Sequence, residues 1–323
     1  MSRTWSALRR WMLTPSPSAV SLDNRGFHAK SPAARELLET IGRTFLTGYA
    51  RAAEASTPGD AAAELEAVDP AFRGFAYEGA AMGFAIRDGL RTGTRFVDGF
   101  LAGPAQDHVY MAHVGIGWAM ARLPRWRWRR VAPSDPVYRW LAIDGLGFHR
   151  AYFQTERYVH RQHRDEAFRW PGTGVGHYAN RAADQGIGRA LWFVEGADGE
   201  RVAAMVDKFP AHRHRDLWSG VGLAASYAGG ATEAELRAVW DRAGAHRAAV
   251  AQGCAFASKA RVRAGHVTSD TRIAAAVFCG SSPESAAAVT DAARVDLPAD
   301  RDVPSYQAWR QRIAGEFATR GRC

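Results

Sequence analysis

Apolar residues along this chain return mostly at helical intervals, and one glycine-led pattern punctuates them. The pattern is a glycine, an apolar residue, a small residue, then a mostly apolar run. It reads Gly79-Ala-Ala-Met-Gly-Phe-Ala, Gly115-Ile-Gly-Trp-Ala-Met-Ala and Gly145-Leu-Gly-Phe-His-Arg-Ala. It returns as Gly186-Ile-Gly-Arg-Ala-Leu-Trp, Gly220-Val-Gly-Leu-Ala-Ala-Ser and Gly253-Cys-Ala-Phe-Ala-Ser-Lys. Successive starts lie 36, 30, 41, 34 and 33 residues apart, with a weaker early copy at Ile41-Gly42-Arg43. That period fits two helices and two turns, the unit of a helical hairpin. The segments between copies supply the partner helices. Residues 61–68 end before Pro70, 200–209 end before Pro210, and 233–242 follow Thr232, an N-cap residue type. Alternation of β-branched and aromatic residues is almost absent, so no strands are expected. The chain reads as all-α, built of tandem helical-hairpin repeats that either stack as an α-solenoid or close into an α/α toroid.

Glycine inside a helix costs about 1 kcal/mol relative to alanine, so its return in six copies needs a physical reason. Close approach of neighbouring helix backbones is one; lining a cavity with small residues is the other. A longer echo points to internal duplication. Asp23-Asn-Arg-Gly-Phe-His28 matches Asp144-Gly-Leu-Gly-Phe-His149, and Ile41-Gly-Arg43 matches Ile187-Gly-Arg189. Tyr77-x-Gly79 parallels Trp218-x-Gly220, and Gly117-Trp-Ala-Met-Ala parallels Gly253-Cys-Ala-Phe-Ala, all in the same order. The expected organisation is an N-terminal amphipathic helix and linker over 1–20, then a single helical-repeat domain over 21–323. Its two pseudo-repeats span 21–132 and 137–280, joined at Pro133-Ser-Asp-Pro136 and followed by a C-terminal segment.

Charge changes this picture little. The formal net charge is +9, but of 42 basic residues only Lys30, Lys208 and Lys259 are lysine. An arginine bias with abundant alanine is what a GC-rich genome produces, so nucleic acid is not an expected partner. Cys254, Cys279 and Cys323 form no CxxC pair, as suits a reducing compartment. No apolar run reaches the ~20 residues of a membrane helix, and the N-terminus lacks a signal-peptide core. Cytoplasm is the expected location. Residues 3–13 place Trp5, Leu8, Trp11 and Met12 on one side and Arg3, Arg9 and Arg10 elsewhere. Such a helix suits a peripheral membrane contact or docking on its own protein. The most basic stretch, Pro124-Arg-Trp-Arg-Trp-Arg-Arg130, suits stacking and phosphate contacts, an acidic partner, or packed tryptophans with solvated arginines.

The candidate chemistry gathers beside the glycine motifs. His28 and His149 hold equivalent places in the duplicated block; their imidazoles either converge on one site or each buttress a helix. His160 and His163 share a helical face, but Arg161 and Arg164 flank them and would repel a cation, so no metal site is expected. His212 and His214 are expected in a solvated turn. Among the acids, Glu78, Asp144 and Asp184 stand at or just before a motif. A carboxylate among apolar neighbours must be paired or protonated; Arg43 and Arg189 are the natural partners, in a structural ion pair or in a polar spot that moves a proton on a bound molecule. The candidate catalytic set is Glu78, Asp184, His149, His28 and Arg189. The candidate binding set is Tyr77, Trp118, Phe148, Trp192 and Trp218. Nucleotide-fold, P-loop and serine-hydrolase signatures are missing, and no motif names a reaction or a cofactor.

Longer runs carry a resemblance. Leu22-Asp-Asn-Arg-Gly-Phe-His, Leu38-Glu-Thr-Ile-Gly-Arg-Thr-Phe-Leu-Thr-Gly-Tyr, Phe72-Arg-Gly-Phe-Ala-Tyr-Glu-Gly-Ala-Ala-Met-Gly-Phe-Ala and Ala183-Asp-Gln-Gly-Ile-Gly-Arg-Ala-Leu-Trp-Phe are the runs in question. In that order, over nearly the whole chain, they resemble the enediyne biosynthesis family UnbL, a bacterial domain of unknown function. The resemblance implies a place beside the iterative enediyne polyketide synthase, in the small gene set that turns its linear polyene toward the enediyne core. It implies no catalytic residues. An apolar polyene, the synthase and its cassette proteins are the implied partners. A helical interior rich in tryptophan and small residues suits a polyene, and a non-enzymatic scaffold for the synthase is the rival reading.

Overall fold

In the computed structural model, residues 16–168, 170, 178–301 and 303–320 are described. Every regular element among them is helical. The longer helices are preceded by short ones, giving α1 (Leu22–Arg25), α2 (Pro32–Glu54), α3 (Pro58–Glu66), α4 (Pro70–Leu90), α5 (Phe96–Ala102), α6 (Val109–Arg122) and α7 (Arg139–Phe153). After these come α8 (Ala179–Val194), α9 (Gly199–Asp207), α10 (Ala211–Tyr227), α11 (Glu233–Ala243), α12 (Arg247–Arg263), α13 (Ser269–Ala274), α14 (Pro283–Arg294) and α15 (Ser305–Thr319). Residues 125–130 form a 3-10 helix, and 156–160 and 275–279 are π-helical. The expected amphipathic helix over 3–13 lies outside the described residues. No described helix is long and apolar enough to cross a membrane.

The helices expected between glycine motifs are α3, α9 and α11. Local chemistry starts each one. Thr57 and Asp60 cap α3 reciprocally, with Pro58 in its first turn. Asp198 caps α9. Thr232 and Glu235 form a capping box on α11: the Thr232 hydroxyl accepts from the Glu235 N–H at 3.3 Å, and Glu235 accepts from the Thr232 N–H at 2.7 Å. One turn expectation fails. His212 and His214 lie in the first turn of α10, because Pro210 opens that helix rather than ending a loop.

The described residues divide into two compact units, one of 16–26 with 39–146, the other of 27–38 with those from 147 on. In each, the motif glycines sit where helices cross. In the first unit, Gly79 of α4 lies against the Phe45 carbonyl of α2, Gly48 of α2 against Ala76 of α4, and Gly115 of α6 against Glu78 of α4. Gly117 meets Ala142, and Gly145 meets Val114. In the second unit, Gly147 meets Ala183, Gly188 meets Leu217, Gly220 meets Gln185, Gly222 meets Val250 and Gly253 meets Ser219. At each of these positions the partner is a backbone carbonyl, and a Cβ would have no space.

The spacing explains the Gly-x-Gly form. Residues two apart on an α-helix point about 200° apart. Gly115 therefore faces α4 while Gly117 faces α7, and Gly220 faces α8 while Gly222 faces α12. One helix is approached closely on both flanks. Of the two reasons weighed for the glycines, close backbone approach is the one the crossings show. The early copy differs in detail: α2 approaches α4 at Gly48, whereas Gly42 packs under the Val20 side chain.

Candidate functional site

Asp184 and Arg213 form a deeply buried ion pair in the second unit. Ala183 crosses α7 at Gly147, which turns the next residue, Asp184, inward on a helix buried over nearly its whole length. Arg213 enters from the first turn of α10. It donates to Asp184 Oδ1 through Nη2 at 2.6 Å and Nε at 3.1 Å. Both side chains are at most 3% exposed. Burial pushes the Asp184 carboxyl above its ordinary range, opposed by the Arg213 and Arg164 charges. The Arg213 guanidinium also lies 4.7 Å from the Phe209 ring centroid.

A cavity of about 20 Å³ opens beside the pair, space for about one water molecule. One wall is the segment 156–165, which supplies Tyr158, His163, Arg164 and Asp165; α7, α8 and α10 supply the rest. That segment is π-helical at first, and then Gln162 takes a φ of +54°. It is tied down by polar contacts. Arg213 Nη1 donates to the Gln162 carbonyl at 2.9 Å, Gln162 Nε2 to the Lys208 carbonyl at 2.7 Å, and Asn180 Nδ2 to the Asp165 carbonyl at 2.9 Å. Arg157 Nη2 meets His163 Nε2 at 2.9 Å. The arrangement sets a desolvated carboxylate, a guanidinium, a phenol and an imidazole around one small space, a setting suited to moving a proton.

A second buried polar group lies where α15 meets α8, α10 and α12. Arg310 donates to Asp216 at 2.8 Å, to the Tyr178 hydroxyl at 2.9 Å and to Gln252 at 3.1 Å. Ser219 donates to Gln252 at 2.7 Å and Tyr306 to Gln185 at 3.3 Å. Burial works against the Arg310 charge, but Tyr178 and Asp216 outweigh it and raise its pKa. Burial also pushes the Tyr178 phenol up. Gln185, Ser219 and Gln252 each precede the first glycine of a motif, as Glu78 and Asp144 do in the first unit.

The expected site residues scatter by comparison. Glu78 is buried in α4, and its carbonyl is the one that meets Gly115. Asp184 pairs with Arg213 of another helix and not with Arg189, because five residues turn Arg189 off its face. Arg189 instead stands 5.2 Å from the Phe148 ring centroid. Arg43 pairs with Glu39 at 3.6 Å and reaches Thr40 at 2.7 Å. His28 has Asp198 at 3.6 Å and a third of its side chain exposed, whereas His149 is buried with its ring 4.6 Å from Phe153. The two histidines thus have unlike surroundings. Tyr77, Trp192 and Trp218 are core residues at most 1% exposed. The Tyr77 hydroxyl donates to Glu66 at 2.6 Å, and burial with this bond pushes the phenol up. The Trp192 indole donates to the Gly229 carbonyl at 3.0 Å. The Trp118 ring lies 4.5 Å from the Phe45 ring, tilted by 36°. No cluster of three His, Cys, Asp or Glu side chains able to hold a metal occurs among the described residues.

The residues missed were Arg213, Asp216, Gln252, Tyr178 and Arg310. Arg213 carried a signal: with Leu217, Gly220 and Ala224 it falls on one face of α10, the face of the motif.

A family model described as "Protein of unknown function (DUF1702)" matches residues 4–317. No curated protein and no solved structure matches the chain.

Proposed function

We propose, from the premise that this chain belongs to the DUF1702 family, that it is a cytoplasmic accessory protein of enediyne polyketide core biosynthesis. In this reading it binds the linear polyene of the synthase and helps to convert it. The enediyne link is carried by the ordered runs that resemble UnbL, and one of them contains Asp184. The structural observation in its favour is that this run folds so as to bury a carboxylate–guanidinium pair beside a cavity. Tandem helical hairpins, as an α-solenoid or an α/α toroid, are the arrangement that the repeated glycine crossings suggest.

The cavity takes about one water, so a polyene reaches Asp184 only if segment 156–165 lifts. Release of Gln162 from Arg213 is the first step of that opening. π-Helical turns are frequent at functional sites, which agrees with this wall being the moving one. A scaffold that binds the synthase or a partner enzyme is the second reading. It is favoured by the small cavity and by the burial of Tyr77, Trp192 and Trp218 in the core.

Deletion in a producing host, complemented with Asp184→Asn and read by mass spectrometry, separates the two. The first reading predicts that a folded Asp184→Asn protein leaves the linear polyene unconverted. Full product titre with that variant removes Asp184 from the site. Capture of the synthase by wild type and Asp184→Asn alike, with titre intact, supports the scaffold.

A further inference from the structure

The Arg-Trp-Arg-Trp-Arg-Arg stretch treats its two tryptophans differently. Trp128 is buried, and its indole donates to the carbonyls of Met120 at 2.8 Å and Leu123 at 3.1 Å. It bolts the 3-10 segment to the end of α6. With three residues per turn, a residue two positions away points elsewhere, and Trp126 is 69% exposed. The Arg127 guanidinium lies 4.1 Å from the Trp126 ring centroid. Packing alone accounts for Trp128 and leaves Trp126 unexplained.

The end of α4 adjoins this segment. Leu123 packs on Gly89, and Arg130 donates to the Arg91 carbonyl at 3.4 Å. Leu90 stands there 56% exposed. Arg91, next to Leu90, and Arg125, Arg129 and Arg130, in the same short segment as Trp126, are all exposed, and no Asp or Glu occurs in 89–97 or 122–134. Asp88, just before, is buried and accepts from the N–H groups of Phe96 and Val97. At the rim, Arg95 pairs with Asp98 at 2.9 Å.

We propose that this face of the first unit docks on an anionic lipid bilayer. Trp126 and Leu90 enter the headgroup layer, where indoles are favoured, and the arginines meet lipid phosphates. Two exposed apolar side chains, Leu90 at the last residue of α4 and Trp126 in the short 3-10 helix, match a flat, yielding surface. Protein hot spots instead fill packed pockets. The inference stands apart from the Asp184 site, and its failure leaves that reading intact.

Flotation of the full chain with vesicles tests it. Phosphatidylcholine vesicles containing phosphatidylglycerol carry the wild-type protein upward at low salt, vesicles of phosphatidylcholine alone do not, and salt releases the protein. Trp126→Ser with Leu90→Ser lowers partition about tenfold or more. Each of Arg125→Gln, Arg129→Gln and Arg130→Gln lowers it roughly fivefold, about 1 kcal/mol. Circular dichroism confirms folding, since Trp128 is untouched. Absence of wild-type flotation overturns the proposal. So does undiminished flotation of Trp126→Ser/Leu90→Ser when Trp5→Ser/Trp11→Ser abolishes it, which would assign the membrane contact to residues 3–13. Binding of this face to polyglutamate but not to vesicles also overturns it, in favour of an acidic protein partner.

Discussion

Gly220→Ala tests the helix crossings most sharply. A methyl carbon at Gly220 would stand 2.7 Å from the Arg189 backbone nitrogen and 3.0 Å from the Gln185 carbonyl carbon, with the carbonyl oxygen nearer still. Ordinary carbon–oxygen approach between helices is about 3.3–3.6 Å, so α8 and α10 must part by roughly an ångström. The obstacle is backbone, which has no rotamer to escape into. Both helices are also held elsewhere, by Gly188 against Leu217 and Gly222 against Val250. Overpacking costs about 1–3 kcal/mol and sometimes more, while alanine returns about 1 kcal/mol of helix propensity. A backbone clash belongs at or beyond the upper end, leaving a net loss of about 2 kcal/mol or more. Gly315 of α15 is the control, exposed and with nothing within 4 Å of an added Cβ. Gly315→Ala is expected to stabilise by about 0.5–1 kcal/mol. Urea unfolding followed by circular dichroism reads both. A Gly220→Ala protein as stable as the Gly315→Ala protein would refute the packing account.

Other substitutions probe the polar interior. Arg213→Met alone strands the Asp184 carboxylate and is expected to cost about 3–5 kcal/mol, whereas Asp184→Leu with Arg213→Met returns close to wild-type stability; urea midpoints decide, and a double variant no better than the single would contradict this. Burial holds the His113 imidazole below the ordinary histidine value of about 6.5, against its bond to the Val109 carbonyl. The native state then binds fewer protons than the unfolded chain, so this stability is full above about pH 6.5 and is lost as pH falls toward the lowered value. His113→Asn should flatten that part of the stability–pH curve, and an unchanged slope would exclude His113 as its source. Thr232→Ala removes the α11 cap and should cost about 1 kcal/mol in thermal unfolding; no change in melting would show that Glu235 alone suffices.

The helical class was legible because glycine inside an apolar helical run is costly and returned at a near-constant period. Which flank each glycine presents emerged only with the structure, where the two glycines of Gly-x-Gly face different neighbours. Asp184 stood out as an acid beside such a motif. Its partner did not, because Arg213 lies 29 residues away on α10, where no helical spacing links it to Asp184. Arg310 was hidden for a different reason: α15 carries no copy of the motif, so nothing in its sequence ties it to Gln252 or Asp216. The aromatic residues beside the glycines could not be sorted by sequence, because size and position beside a glycine mark core packing and pocket lining equally well. Trp192 and Trp218 settle beneath neighbouring helices, whereas Trp126, in the basic stretch, is presented outward.

The proposed activity is tested most directly by adding the linear conjugated polyene to purified protein and following its long-wavelength absorption. Wild-type protein, with any partner enzymes it requires, should shift or consume that band, and the folded Asp184→Leu/Arg213→Met protein should leave it unchanged. Identical spectra with wild type and the double variant would contradict a polyene site at Asp184.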